Sequence, residues 1–254
     1  MQSFFQNYLT GMFTLGKGVG LFLVWVKANK MRAIVYAICS LIFLQYLSLP
    51  NNSLQSLRKK NPTNTALMIQ RRFEAESSGK PFAVNQRWVP LSKISINLVH
   101  AVIVSEDGTF YAHEGVDWYE MEESLMKNIK KGKAARGGST ISQQLAKNLY
   151  LSTSKDFLRK FKELVITLRM ERVLSKRRIL EIYLNVIEWG DGVFGAEAAA
   201  QKYFGKSALL LTREEAALMA AVIPNPRRYK VNSPSVYVTR MVSVILNRME
   251  ARGY

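Results

Sequence analysis

Cysteine is almost missing from this chain: Cys39 stands alone, which excludes an internal disulfide and any zinc site built from cysteines. Histidine is nearly as scarce, with His100 and His113 only, so a histidine-rich metal centre is excluded too. Any metal would have to be a hard cation held by carboxylates and phosphate oxygens. Acidic residues are few, 19 against 36 Lys and Arg, and the resulting net charge of +17 with a pI near 10.0 calls for a polyanionic partner: nucleic acid, an anionic membrane surface or a phosphorylated substrate. Runs of alternating β-branched residues are absent as well. From about Val89 onward nearly every segment instead has helical periodicity, which predicts an all-α, or mainly helical, domain. A length of 254 residues allows one such domain and an appendage.

Charge is also missing from Ala33 to Leu49, seventeen residues at the lower limit for a membrane-spanning helix. Lys27, Lys30 and Arg32 precede it and Pro50-Asn51-Asn52 follow it, so the positive-inside rule places residue 1 in the cytoplasm and the body of the protein outside. An earlier apolar segment, Leu9 to Val26, is interrupted by Lys17 and several glycines and reads as interfacial. The chain therefore divides into a cytoplasmic or interfacial segment (1–32), a transmembrane helix (33–49), a polar juxtamembrane linker (50–86) and a domain (87–254). Arg58, Lys59, Lys60, Arg71 and Arg72 in the linker are expected near anionic headgroups.

The most polar stretch of the domain is EDGTFYAHEGVDW, Glu106 to Trp118. An apolar helical pattern (Ile94, Leu98, Val99, Val102, Ile103), opened by Pro90 and Ser92, leads into it, so Glu106 is expected at the C-terminal end of a buried helix. The negative end of the helix dipole and desolvation both raise a carboxyl pKa there, towards that of a useful proton acceptor. The competing reading is a solvated acidic turn closed by Gly108.

Further along, a helix is expected from Trp118 to about Ile129, followed by the basic, Gly-rich KKGKAARGG (Lys130 to Gly138). In STISQQLAKNLYL, Ser139 or Thr140 can cap a helix on which Thr140, Gln144, Lys147 and Asn148 share one face and Ile141, Leu145 and Leu149 another. On the helix from Lys155 to Leu174, Phe157, Phe161, Leu164, Val165 and Leu168 form an apolar stripe opposite Arg159, Lys160, Glu163 and Thr167. Taken alone, Arg159 and Glu163 are an ordinary i, i+4 surface pair. Gly190, Gly192 and Gly195 spell G-x-G-x-x-G, but they follow a helical pattern (Ile179, Leu180, Tyr183, Leu184) rather than a strand, which rules out a dinucleotide loop and leaves a tight connection between two helices. Thr212 to Glu215 forms a capping box, and the last helix, about Ser235 to Arg252, reads as packing.

Together EDGTFYAHEGVDW, GGSTISQQLAKNLYL, RKFKE (Arg159 to Glu163) and RRILEIYLNVIEWGDGVFGAEAAAQKYFGK resemble, in order and spacing, the peptidoglycan glycosyltransferase domain shared by bifunctional penicillin-binding proteins and monofunctional membrane-anchored transglycosylases. The similarity covers roughly residues 85–235. It implies a lysozyme-like helical fold with a small membrane-contacting jaw, placed on the outer face of a bacterial inner membrane. It also implies a reaction in which a lipid II hydroxyl attacks the anomeric carbon of a second donor, inverting it to a β-1,4 bond and releasing undecaprenyl pyrophosphate. By this resemblance Glu106 is the general base and Glu163 the second glutamate. Lys147, Arg159 and Lys160 clamp the pyrophosphate, with Glu163 orienting them or holding Mg²⁺ or Mn²⁺ there. Asp107, Phe110 and His113 shape the first motif, Thr140, Gln144 and Asn148 bind sugar or phosphate oxygens, and Tyr183 and Asn185 support the site from behind. The partners expected are lipid II, the growing glycan, membrane lipids and cell-wall synthesis or division proteins, with no nucleic acid. No organic cofactor is expected. S-x-x-K occurs at Ser56 to Lys59 without a following K-T-G, so a transpeptidase is not implied. The rivals are a lysozyme-like lytic enzyme, which has no use for the cations around Lys147, a tethered nucleic-acid-binding module, and a non-enzymatic scaffold.

Overall fold

The computed structural model describes residues 24–47, 49–131, 138–154 and 156–254, and the chain falls into two units, residues 1–49 and 50–254. Most of the apolar segment Leu9 to Val26 and of the basic stretch Lys130 to Gly138 lies outside the described residues. In the first unit, helix α1 (Lys30–Leu47) opens with its two charged residues and exposes Ile34, Val35, Tyr36, Phe43 and Leu44. Its uncharged part from Ala33 spans about 22 Å at about 1.5 Å per residue, against about 30 Å for a bilayer core. Among the described residues no helix is both long and apolar enough to cross a membrane.

The second unit is mostly helical, as expected, but it begins earlier than the pattern suggests. Residues 50–86 are not a linker. They fold into α2 (Asn51–Ser56) and α3 (Ala66–Ser77), which bury Leu54, Leu57, Leu67 and Met68 in the same unit. Arg71, one of the five cations of this segment, is neutralised within the fold: its Nε donates to the buried Glu188 carboxylate at 2.9 Å. Arg178 fastens the same segment by donating to the carbonyls of Leu57 (2.8 Å) and Lys60 (3.0 Å).

The centre of this unit is α4 (Ile96–Glu106), on which Leu98, Ala101 and Val102 are wholly buried. Its cap is Ser95, rather than Ser92: the Ser95 hydroxyl accepts from the Asn97 amide, while Pro90 precedes a separate 3-10 turn, Leu91–Lys93. Next come α5 (Trp118–Lys131), α6 (Ile141–Tyr150), α7 (Phe157–Val173), α8 (Lys176–Val186), α9 (Ala196–Phe204), α10 (Arg213–Val222) and α11 (Val236–Glu250). Helices α10 and α11 pack on α4. Ala216, Ala217, Ala220 and Ala221 let α10 approach closely, and its capping box, Thr212 with Glu215, is present. Helix α6 lies between α3, α7 and α8.

A small sheet departs from the all-α expectation. Strands β1 (Asn85–Gln86), β2 (Glu188–Gly190) and β3 (Val193–Phe194) lie in the order β1-β3-β2, with β1 parallel to β3 and β2 antiparallel to it. The glycines of G-x-G-x-x-G turn this hairpin between α8 and α9. At Gly195, with φ at 82°, a Cβ would lie 2.6 Å from the Asn185 carbonyl, so no other residue fits there.

Helix α7 is turned the opposite way to its apolar pattern. The residues it buries are Glu163, Ile166, Thr167 and Met170, while Phe157 is 88% and Leu158 43% exposed and Phe161, Leu164, Val165 and Leu168 are only half-buried. The buried place on the other side is taken by Glu163, whose oxygens pair with Arg159 and Lys160. Helix α5 likewise exposes Trp118, Tyr119, Met121 and Met126.

Candidate active site

Glu106 is the last residue of α4, where the reading of the sequence puts it. It is partly buried. Burial raises its pKa above the ordinary carboxylate range and the Asp107 charge adds to this; the hydrogen bond from Gln144 and the charge of Lys147 oppose it without cancelling it. Gln144 Nε2 donates to Glu106 Oε2 at 2.8 Å. The amide is oriented by Tyr183, wholly buried on α8, whose hydroxyl donates to Gln144 Oε1 at 2.9 Å. Burial, reinforced by the charges of Glu106 and Asp107, pushes the Tyr183 phenol well above its usual value, so it is a fixed donor.

The first-motif loop is assembled around Asp107 rather than around substrate-facing groups. The Asp107 carboxylate accepts from the Ile141 amide at the start of α6 (2.9 Å) and from His113 Nε2 (3.0 Å). His113 Nδ1 accepts from the Gly115 amide at 3.0 Å, which in the neutral ring puts the proton on Nε2, where it meets Asp107. Phe110 is wholly buried, edge-on to His113, with Lys176 Nζ 4.7 Å from its ring centre. Thr140 caps α6, forms a capping box with Gln143 and donates to the Gly115 carbonyl at 2.6 Å. Gly115, at φ 93°, lies where a Cβ would come within 2.7 Å of Glu171 Cγ. These contacts lock the loop onto α6. They make Asp107, Phe110, His113 and Thr140 frame residues, with their polar atoms already engaged.

The second glutamate sits in a different setting. Glu163 on α7 is 2% exposed; Arg159 Nη1 reaches its Oε2 at 2.5 Å and Lys160 Nζ pairs with its Oε1. Lys160 also donates to Ser139 at 3.1 Å. Arg159 Nε is buried and has no hydrogen-bond partner among the described residues. Lys147 on α6 joins the two halves. Burial lowers its pKa; the charge of Glu163 opposes this, Arg159 and Lys160 add to it, and Glu106 opposes it. Lys147 is thus within electrostatic reach of both glutamates, and Asn148 is buried on the next turn position of α6.

Asn185 and Glu163 have their polar atoms engaged within the fold. The buried Asn185 side chain bridges Val89 and the Glu181 carbonyl at 2.8–2.9 Å and so holds the segment leading out of β1. Both Glu163 oxygens are paired, with Arg159 and Lys160, and among the described residues no group of three His, Cys, Asp or Glu is gathered for a cation. What the sequence left unseen is a brace: Ser142 donates to Glu171, Lys176 pairs with Glu171 at 2.8 Å, and Arg252 donates to the Gly108 carbonyl at 2.6 Å. Residues this distant in sequence give no periodic signal.

A hydrogen-bonded carboxyl of raised pKa and a cation-bound carboxylate, both within electrostatic reach of one lysine, define a site for acid–base chemistry on a bond that carries anionic charge. A family model described as Transglycosylase matches residues 74–250, and the chain belongs to that family. Three proteins called "Biosynthetic peptidoglycan transglycosylase" are similar to it. That of Aromatoleum aromaticum is 53% identical over 67% of this chain and 74% of its own length. That of Dechloromonas aromatica is 49% identical over 75% and 83%, and that of Herminiimonas arsenicoxydans 48% over 74% and 82%.

Proposed function

We propose that this protein polymerises lipid II into linear peptidoglycan strands, joining sugars by β-1,4 bonds with inversion and releasing undecaprenyl pyrophosphate. The observation that carries this reading is a lysine, Lys147, within electrostatic reach of both the helix-end Glu106 and the paired Arg159–Glu163–Lys160 cluster. Glu106 takes the proton from the attacking 4-hydroxyl, and its raised pKa suits that task. Pyrophosphate is a weakly basic leaving group that needs positive charge more than a proton, and Lys147, Arg159 and Lys160 supply it, Arg through its planar fork. Glu163 aligns those cations. Gln144 and Asn148 take sugar or phosphate oxygens, with Tyr183 fixing Gln144.

The enzyme works at the bacterial inner membrane, with a lysozyme-like domain on its outer face. Two features support the placement: the uncharged run from Ala33 to Leu49 behind Lys27, Lys30 and Arg32, and the exposed apolar residues of α5 and α7, among them Trp118, Tyr119, Phe157 and Leu158, which suit a membrane-contacting jaw. Lipid II and membrane lipids are then its immediate partners, and cell-wall synthesis proteins its neighbours.

Purified protein incubated with lipid II alone should make polymer, and with finished peptidoglycan should release nothing. The reverse result identifies a lytic enzyme instead. Vesicle-bound protein should lose lipid affinity when Phe157 and Trp118 are both changed to Ser.

A further inference from the structure

The last helix was expected to serve packing alone, yet two guanidinium groups at its C-terminal end hold the backbone on either side of Glu106. Helix α4 stops at Glu106, and the chain leaves it at Asp107 with φ −159° and ψ 77°. The Ile103 carbonyl still accepts from the Asp107 amide at 2.9 Å, but the carbonyls after it have no amide of the same helix to meet. Arg248 Nη1 donates to the first of these, on Val104, at 3.3 Å. Arg252 Nη1 donates to the Gly108 carbonyl, just past the helix, at 2.6 Å. Donors 248 and 252 thus meet acceptors 104 and 108, with Glu106 midway. The turn that carries Arg252 is itself fixed: Gly253, at φ 72°, lets the Tyr254 amide return to the Met249 carbonyl at 2.9 Å. The Tyr254 ring then stacks on His100, with centroids 3.7 Å apart and planes 15° from parallel. His100, Val104 and Gly108 follow one another at intervals of four, so the end of α11 is attached along one side of α4.

We propose that Arg248 and Arg252 are positioning residues for the reaction: by holding the Val104 and Gly108 carbonyls they fix the backbone that carries Glu106, and so keep its carboxylate on the Gln144 amide. They touch no substrate and move no proton. Packing does not require them, because the side chains that α11 buries are Val238, Ile245 and Met249, and both arginines are exposed. Two cations at the negative end of the α4 dipole favour the contact, and a charged donor strengthens each hydrogen bond. Gly108 is part of the same brace. A Cβ there would lie 2.7 Å from Arg252 Nη2, so the guanidinium fills the space that a side chain would take. Displacing a catalytic group by about 1 Å can cost about 10²-fold in rate. Loosening the brace should therefore lower kcat and spare binding. The inference rests on the reading of Glu106 as the base of the proposed reaction.

The test uses the full chain, with rates expressed per folded molecule over a range of lipid II concentrations. Arg252→Ala should lower kcat about tenfold with KM within about twofold, and Arg248→Ala, which loses the longer contact, about threefold. Arg252→Lys keeps a cationic donor and should recover most of the loss. Gly108→Ala pushes the guanidinium aside and should act like Arg252→Ala, so it serves the same test if Arg252→Ala fails to fold. The double variant Gly108→Ala/Arg252→Ala should be no slower than either single one, since both remove one contact. An unchanged kcat in folded Arg252→Ala, with or without a lower melting temperature, shows an arginine that only stabilises and overturns the proposal; so do losses that multiply in the double variant. Amide hydrogen exchange over residues 100–112 needs no turnover, and it should be faster in Arg252→Ala and Gly108→Ala than in the wild type. If the wild type makes no polymer, the reaction reading falls and exchange alone judges the brace: faster exchange keeps it, and equal exchange overturns it.

Discussion

The two glutamates of the candidate site are held by opposite means. Glu106 ends a buried helix, accepts one hydrogen bond from a neutral amide and has its proton affinity raised by burial. Glu163 is more deeply buried, but its two oxygens are paired with Arg159 and Lys160. A carboxylate left short of partners is poised to take a proton; one that is fully paired is an anchor for the cations around it. Glu188, on another part of the domain, is an intermediate control: it is buried and paired with Arg71 through Oε2, but its Oε1 has no hydrogen-bond partner among the described residues, and burial raises its pKa against the pull of Arg71.

The comparison is broken most directly at Glu106. Glu106→Gln should lower kcat by about 10²–10⁴-fold, with substrate affinity and circular dichroism little altered; retention of a tenth of the rate would remove Glu106 from the role of base. Next in size is the control. Arg71→Met leaves the Glu188 carboxylate buried and unpaired and should cost about 3–5 kcal/mol in urea unfolding, most of it recovered in Arg71→Met/Glu188→Leu. Glu163→Gln removes the charge that aligns Arg159 and Lys160. At about 1.5–3 kcal/mol for hydrogen bonds to charged groups, it should slow polymerisation about ten- to a hundredfold, and a slower release of pyrophosphate would be the signature.

The pH dependence sharpens the contrast further. Since the folded pKa of Glu106 is raised, kcat/KM should fall as pH drops through a value above the unperturbed carboxyl, about 4.3. The stability effect runs in the other direction. Between the unfolded and folded pKa values the native state binds more protons than the unfolded one, so stability falls as pH rises through that window. Glu106→Gln should therefore flatten that part of the melting profile and raise the melting temperature at neutral pH. The smallest effect belongs to Tyr183→Phe. Losing one neutral hydrogen bond to Gln144, about 0.5–1.5 kcal/mol, should lower kcat a few-fold and leave KM nearly unchanged.

Local pattern, read from the residues alone, was enough to place Glu106 at a helix end, to set Thr140 at a cap and Gln144 and Lys147 on one face of α6, and to reject the dinucleotide loop at Gly190. Each of these depends on spacing along one helix or turn, which sequence carries directly. The same periodicity separated the two sides of α7 without telling which is buried, because an apolar stripe does not reveal what lies opposite it. Only packing showed that Glu163 is buried with Arg159 and Lys160 paired to its oxygens while Phe157 is left outside. It was likewise tertiary structure that turned residues 50–86 from linker into fold through Arg71 and Arg178 and tied the Asn185 side chain to Val89. Partners more than a hundred residues apart leave no mark on local pattern. They meet because buried charge and polar backbone must be paired, and where each finds its pair is fixed only once the helices have packed.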